Sequence, residues 1–184
     1  MIPIVLIVIV VLLGLFVLMT YNGLVSLRNR VENAWSQIDV QLKRRLDLIP
    51  NLIETVKGYA SHERGTLEAV VNARNQAISA QSQGPAAAGV ADSALSGTLR
   101  QLFALSEAYP DLKANQNFLA LQEELSATEG KIAYARQFYN DTVMKYNTKQ
   151  EVFPGSLVAG MGKFEKREYF EAEDAAKTVP NVKF

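Results

Sequence analysis

From Ile2 to Met19 no side chain is charged, and fifteen of the eighteen residues are Ile, Leu, Val or Phe. A run that is apolar on every side has no face to turn toward water, so it suits lipid rather than the surface of a bundle. As a helix it spans about 27 Å, close to the ~30 Å hydrocarbon core of a bilayer. Summed residue by residue, insertion is favourable by on the order of 5 to 9 kcal/mol. Pro3 falls in the first turn, where no helical hydrogen bond is lost, and Gly14 is tolerated in lipid. Ile2, Leu6, Val10, Leu13, Val17 and Met19 are the expected anchor residues, with Tyr21 as the interfacial aromatic. A cleaved signal peptide would need a basic n-region and a small-residue cleavage site. Only Met1 precedes the run and Thr20-Tyr21-Asn22 follows it, so the run reads as a retained anchor.

Beyond it the pattern becomes one-sided. Val31, Trp35, Ile38, Leu42, Leu46, Ile49, Ile53, Val56 and Ala60 recur in steps of three and four, the stripe of a core-facing helix. The stripe holds its phase through Pro50, which normally interrupts a helix. Either one helix kinks there or a new helix starts with Pro50 in its first turn; a kinked, nearly continuous rod is the preferred reading. Ser61, with an acid two residues on, suggests the N-cap of a second helix carrying Leu67, Val70, Val71, Ala73, Ala77 and Ile78 inward. Residues Ser82 to Gly89 read as a mobile Gly/Pro/Ala loop. A third helix follows Asp92 or Ser93, with Leu95, Leu99, Leu102, Phe103 and Leu105 inward, and stops at the turn signal Tyr109-Pro110-Asp111. The last long helix is expected from about Asn115 to Lys149 on the stripe Phe118, Leu121, Leu125, Thr128, Ile132, Ala135, Tyr139, Thr142 and Tyr146, ended by Phe153-Pro154-Gly155. Residues 156–161 are expected to be helical and the end of the chain irregular.

The fold expected is therefore all-α: an N-terminal transmembrane helix followed by an elongated antiparallel four-helix-type bundle. Its divisions are residues 1–20 as the anchor, 21–155 as the bundle and 156–184 as the tail. Arg28, Arg30 and then Lys43, Arg44 and Arg45 all follow the anchor. The positive-inside rule accordingly places the body in the cytoplasm and the short N-terminus outside, in a single-pass membrane protein.

Charge and chemistry narrow the function by subtraction. Nineteen basic residues balance nineteen acidic ones, which leaves no excess to neutralise nucleic-acid phosphates. Without Cys there is no thiol or disulfide chemistry. The single His, His62, is followed by Glu63, but Thr66 stands where H-E-x-x-H needs its second His. No G-x-S-x-G elbow occurs, and the glycines at 155, 160 and 162 lack the strand-loop-helix setting of a phosphate cradle. No catalytic, metal or cofactor-binding residue is assigned, and no small-molecule substrate is expected. The acid pairs Glu123-Glu124 and Glu173-Asp174 read as solvated, and Asn140-Asp141-Thr142 as a chance sequon inside a helix. Lys43-Arg44-Arg45 lies about 35 Å along a straight helix from the membrane exit, several Debye lengths away, so it reads as a solvated face that pairs across the bundle. The polar group flanking the first stripe is the candidate interaction seam: Asn29, Arg30, Asn33, Gln37 and Asp39, with Trp35. These side chains either satisfy one another within one bundle or form a seam between molecules.

Several stretches together resemble the LemA family: Tyr21-Asn22 with Leu24, Arg28-Asn29-Arg30-Val31, Ala34-Trp35-Ser36-Gln37-Ile38-Asp39-Val40-Gln41-Leu42-Lys43-Arg44-Arg45, Asp47-Leu48-Ile49-Pro50-Asn51-Leu52, Val56-Lys57-Gly58-Tyr59-Ala60 and Tyr109-Pro110-Asp111-Leu112-Lys113-Ala114-Asn115. Tyr139-Asn140, Tyr146-Asn147 and Phe153-Pro154 continue the match, which runs from the anchor to Phe164 and is thin in the Gly84–Gly97 region and the tail. The resemblance implies a protein of the bacterial inner membrane with an N-terminal membrane helix, a short N-terminus outside and an elongated four-helix-type bundle, and supplies no catalytic residues. A non-enzymatic, membrane-anchored protein that self-associates into an assembly or scaffold is the leading expectation. An accessory regulator that binds a membrane sensor kinase or protease, through the Gly84–Gly89 loop or the tail, is the alternative.

Overall fold

A computed structural model describes residues 2–170, and these form six helices with no strand among them. They are α1 (Ile2–Lys57), α2 (Arg64–Gln81), α3 (Pro85–Ser106), α4 (Pro110–Lys113), α5 (Gln116–Glu151) and α6 (Gly155–Met161). The chain divides into two compact units. One joins the chain up to Ser36 with Gln137–Glu168; the other joins Gln37–Arg136 with Tyr169 and Phe170. The expected irregular end, residues 171–184, lies outside the described residues.

The second unit is a helical bundle built on the stripes. Leu46, Ile49, Leu52, Ile53 and Val56 of α1 meet Leu67, Val70, Ala73 and Ala77 of α2, Leu95, Leu99 and Leu102 of α3, Leu112 of α4, and Phe118 and Leu125 of α5 in one buried cluster. Small side chains on the buried face of α2 let neighbouring helices approach closely, while the Phe103 and Phe118 rings meet edge-on at 6.1 Å. Asn115 caps α5, accepting a hydrogen bond from the Phe118 N–H at 3.0 Å.

α1 runs unbroken through Pro50. A proline there removes the N–H that would have satisfied the Leu46 carbonyl four residues back. Arg74 of α2 fills the vacancy: its Nε–H donates to the Leu46 carbonyl at 2.9 Å. A tertiary hydrogen bond thus replaces the missing helical one.

Three local expectations are corrected. Ser61 is exposed and does not cap α2, because the Tyr59 and Ala60 N–H groups turn back onto the Val56 carbonyl and Glu63 N–H onto Ala60, delaying the helix to Arg64. The Ser82–Gly89 stretch is no loop: the connection ends at Gly84, whose φ of 104° a side chain would disfavour, and Pro85 opens α3 with the alanines following it into the helix. The third helix therefore begins eight or nine residues earlier than its apolar pattern suggested. Val71 and Ile78, expected inward, are exposed, because the buried face of α2 is carried by Leu67, Val70, Ala73, Ala77 and Ala80.

In the first unit, Leu24, Val31 and Ala34 of α1, Tyr139, Val143 and Tyr146 of α5, and Val158 and Ala159 of α6 are buried. Trp35 meets Tyr139 with ring centroids 5.8 Å apart. At the α5–α6 corner a Cβ on Gly155 would lie 1.8 Å from the Lys149 carbonyl oxygen, so only glycine fits.

The role given to Arg74 is testable by a double-mutant cycle. Arg74→Met should cost about 1–3 kcal/mol by stranding the Leu46 carbonyl. Combined with Pro50→Ala, which restores the N–H, the same substitution should cost distinctly less; equal cost in both backgrounds, read by urea unfolding, would refute it.

Candidate functional site

Three arrangements stand out, and none has the layout of a catalytic centre. The first is the N-terminal part of α1. From Ile4 to Met19 every large apolar side chain is between 41% and 71% exposed. Among the described residues α1 is the one helix long and apolar enough to cross a membrane. Its exposure separates it from a core helix of similar composition, which would be buried. Leu6, Val10, Leu13, Val17 and Met19 all lie on this exposed stretch, as does Tyr21 just beyond it.

The second is a clamp in the same unit. After α6 the backbone leaves the helix with Lys163 at φ 51° and runs on without regular structure to Phe170. Asn147 of α5 holds it as a strand partner would: its amide Nδ2 donates to the Arg167 carbonyl at 2.9 Å, and its Oδ1 accepts from the Arg167 N–H at 3.0 Å. The Tyr139 hydroxyl donates to the Glu168 carbonyl at 2.8 Å, and burial pushes that phenol up to about 12. The Arg167 guanidinium reaches Glu32 at 3.0 Å. Phe164 lies edge-on to Tyr21, centroids 5.4 Å apart, and 5.6 Å beneath the guanidinium carbon of Arg28.

The third lies in the other unit. Arg45 of α1 is 2% exposed and donates to Asp92 of α3 at 2.8 Å, with the Glu129 carboxylate of α5 at 3.7 Å. Asp92 and Gln81 also line a small cavity of about 10 Å³ with Leu42, Leu46 and Ala88. Burial raises the Asp92 carboxyl above its ordinary 3.8, outweighing the attraction of Arg45. Such a pair costs desolvation and is indispensable once present, because removing either partner strands the other. The solvated reading of Lys43-Arg44-Arg45 therefore holds for Lys43 and Arg44, which are exposed, and fails for Arg45. Arg44 does pair across the bundle, with Glu124 at 2.5 Å.

The model of the LemA family matches residues 34–184. The chain belongs to the LemA family. The match begins at Ala34, past the Arg28–Val31 stretch, and continues through the tail, where the sequence pattern alone carried little. Among relatives, Magnetosome protein MamQ 2 of Paramagnetospirillum magneticum and Magnetosome protein MamQ of Magnetospirillum gryphiswaldense are each 23% identical over 185 residues, covering 88% of this chain and 68% of the relative. Protein LemA of Metamycoplasma hominis is 29% identical over 140 residues, covering 75% of this chain and 63% of that protein.

In this LemA-family chain the seam residues do not gather into one buried group. Asn29, Arg30 and Asn33 of the first unit are exposed and Trp35 is half-buried; in the second, Gln37 is exposed and Asp39 half-buried. Sequence reasoning missed the clamp residue Asn147 and the Arg45–Asp92 pair. A signal existed for Arg45, which stands seven residues after Ile38 and seven before Leu52, both fully buried.

Asp92→Ala should destabilise the chain by about 3–5 kcal/mol by stranding Arg45. Arg44→Ala, at an exposed pair, should cost no more than about 1 kcal/mol. Equal losses in thermal or urea unfolding would contradict the assignment. Because the folded Asp92 holds its proton more tightly than the unfolded chain does, the proton-linked part of its contribution, separate from its pairing with Arg45, is fully present below pH 3.8 and lost as pH rises through the raised value. Wild-type stability measured against Asp92→Asn should therefore increase as the pH falls toward 4; a flat difference would contradict the direction.

Proposed function

We propose that this LemA-family chain is a non-enzymatic, single-pass membrane protein whose helical body self-associates beside the membrane into an assembly or scaffold. The observation that carries the anchor is the uninterrupted exposure of the large apolar side chains from Ile4 to Met19. A helix with that much apolar surface is at home in lipid, where its backbone groups are already satisfied. Orientation follows the basic residues after the anchor, with the body on the cytoplasmic side.

Self-association is supported by two features. One anchor per chain confines the bodies to a plane, which raises their effective concentration for lateral contact without any new interaction. Asn29, Arg30 and Asn33 present polar side chains outward on α1, where they are available to a neighbouring molecule rather than consumed inside the bundle. Polar side chains beside an apolar stripe fix register and partner more than they add affinity. The side-chain arrangements described above serve to hold helices and a chain segment in place.

Size analysis of the full chain in mild detergent and in lipid discs tests this reading. A species larger than one chain, whose proportion grows with protein concentration and falls with Arg30→Glu and Asn33→Glu together, is expected. A strictly monomeric species at every concentration would refute self-association.

A further inference from the structure

Residues 152–162 carry no charged side chain. Within that run α6 buries one face, with Gly155, Val158 and Ala159, and turns large apolar groups outward on the other. Phe153 is 77% exposed, Leu157 63% and Met161 79%, while Val152 is 49% exposed. Single exposed apolar residues need no explanation, but several within one ten-residue stretch do.

Their place in the fold says what covers them. The end of α6 lies against the point where α1 leaves its apolar run: a Cβ on Gly162 would sit 3.2 Å from the Tyr21 ring, and Phe164 meets the same ring. The outward apolar groups are thus held beside the membrane exit of the anchor. Lys163 is exposed immediately after them, and Arg28 stands over Phe164, so cationic groups flank the apolar patch as they do in helices that lie in a lipid interface.

We propose that the α5–α6 corner, through Phe153, Leu157 and Met161, is a second membrane-contact element that dips into the headgroup–acyl boundary beside the anchor. The partner is a lipid surface, with Lys163 and Arg28 facing its phosphates. The proposal rests on the anchored reading given above. It gives the first unit two points of contact with the bilayer, a spanning helix and a short interfacial one.

The chain has no Cys, so single nitroxide labels can be placed on the full-length protein in bilayers of phosphatidylcholine and phosphatidylglycerol. Leu12→Cys reports the anchor, Leu157→Cys and Met161→Cys report the corner, and Asp141→Cys is the aqueous reference. Asp141 is exposed two residues from Tyr139, which packs on Trp35 about 20 Å along α1 from Tyr21. The ratio of collisions with oxygen to collisions with a water-soluble nickel chelate should be several-fold higher at 12, 157 and 161 than at 141. A lipid-like ratio at 12 with water-like ratios at 157 and 161 overturns the proposal and leaves the anchor standing. Water-like ratios at all four positions overturn both. Labels at 157 and 161 shielded from oxygen and nickel alike would show a protein partner on the corner, and would also overturn it.

Discussion

The structure depends on one continuous helix, α1. Its hydrogen bonds run from Ile2 to Lys57 while the side chains change meaning twice: apolar on every side, then apolar on one stripe within the first unit, then the same stripe within the second. A helix can carry such a change of surroundings because its polar backbone is satisfied internally wherever it goes. The weak point is Pro50, where the ladder loses a donor. Arg74 makes up the loss from a neighbouring helix, so local continuity is secured by tertiary structure rather than by propensity.

Much of this was legible in the chain. Stripes of period 3.6 located α1 and α5 and the larger part of their buried residues, because periodicity reports which face is dry, while Leu24, Ala34, Leu52 and Val143 are buried beside the stripes. Sequence reasoning faltered where a residue's role depends on what faces it from another element. Asp92 or Ser93 looked like the residue before a helix start, yet Pro85 starts α3 earlier and places Asp92 on the buried face, three residues before Leu95. Glu63 begins no capping arrangement with Ser61, and instead accepts a hydrogen bond from the Tyr109 hydroxyl at 2.8 Å, from 46 residues away. The side-chain clamp of Asn147 on Arg167 is likewise invisible to pattern, since nothing local distinguishes an asparagine that binds backbone from one that binds water.

The candidate seam was only half readable for the same reason. Its six residues share one stretch of α1, but exposure separates Asn29, Arg30, Asn33 and Gln37 from the half-buried Trp35 and Asp39. Family membership supplies the ancestry of this arrangement, at identities of 23% to 29% that speak for shared architecture more than shared partners. What the chain offers a partner is surface: lipid-seeking side chains at one end of α1, outward polar groups further along it, and an apolar corner at α6. Its internal chemistry is spent on holding helices and a chain segment together.

Whether those first apolar residues hold the chain in a bilayer decides the whole account. Membranes from cells making the full-length chain can be washed with alkaline carbonate, which strips proteins held only by surface contacts, and the chain then located by sedimentation and its mass measured. It should sediment with the lipid at its full mass, whereas a form lacking residues 2–20 should be released. Finding the full-length chain in the supernatant, or only a shortened chain without its apolar start, would contradict the account.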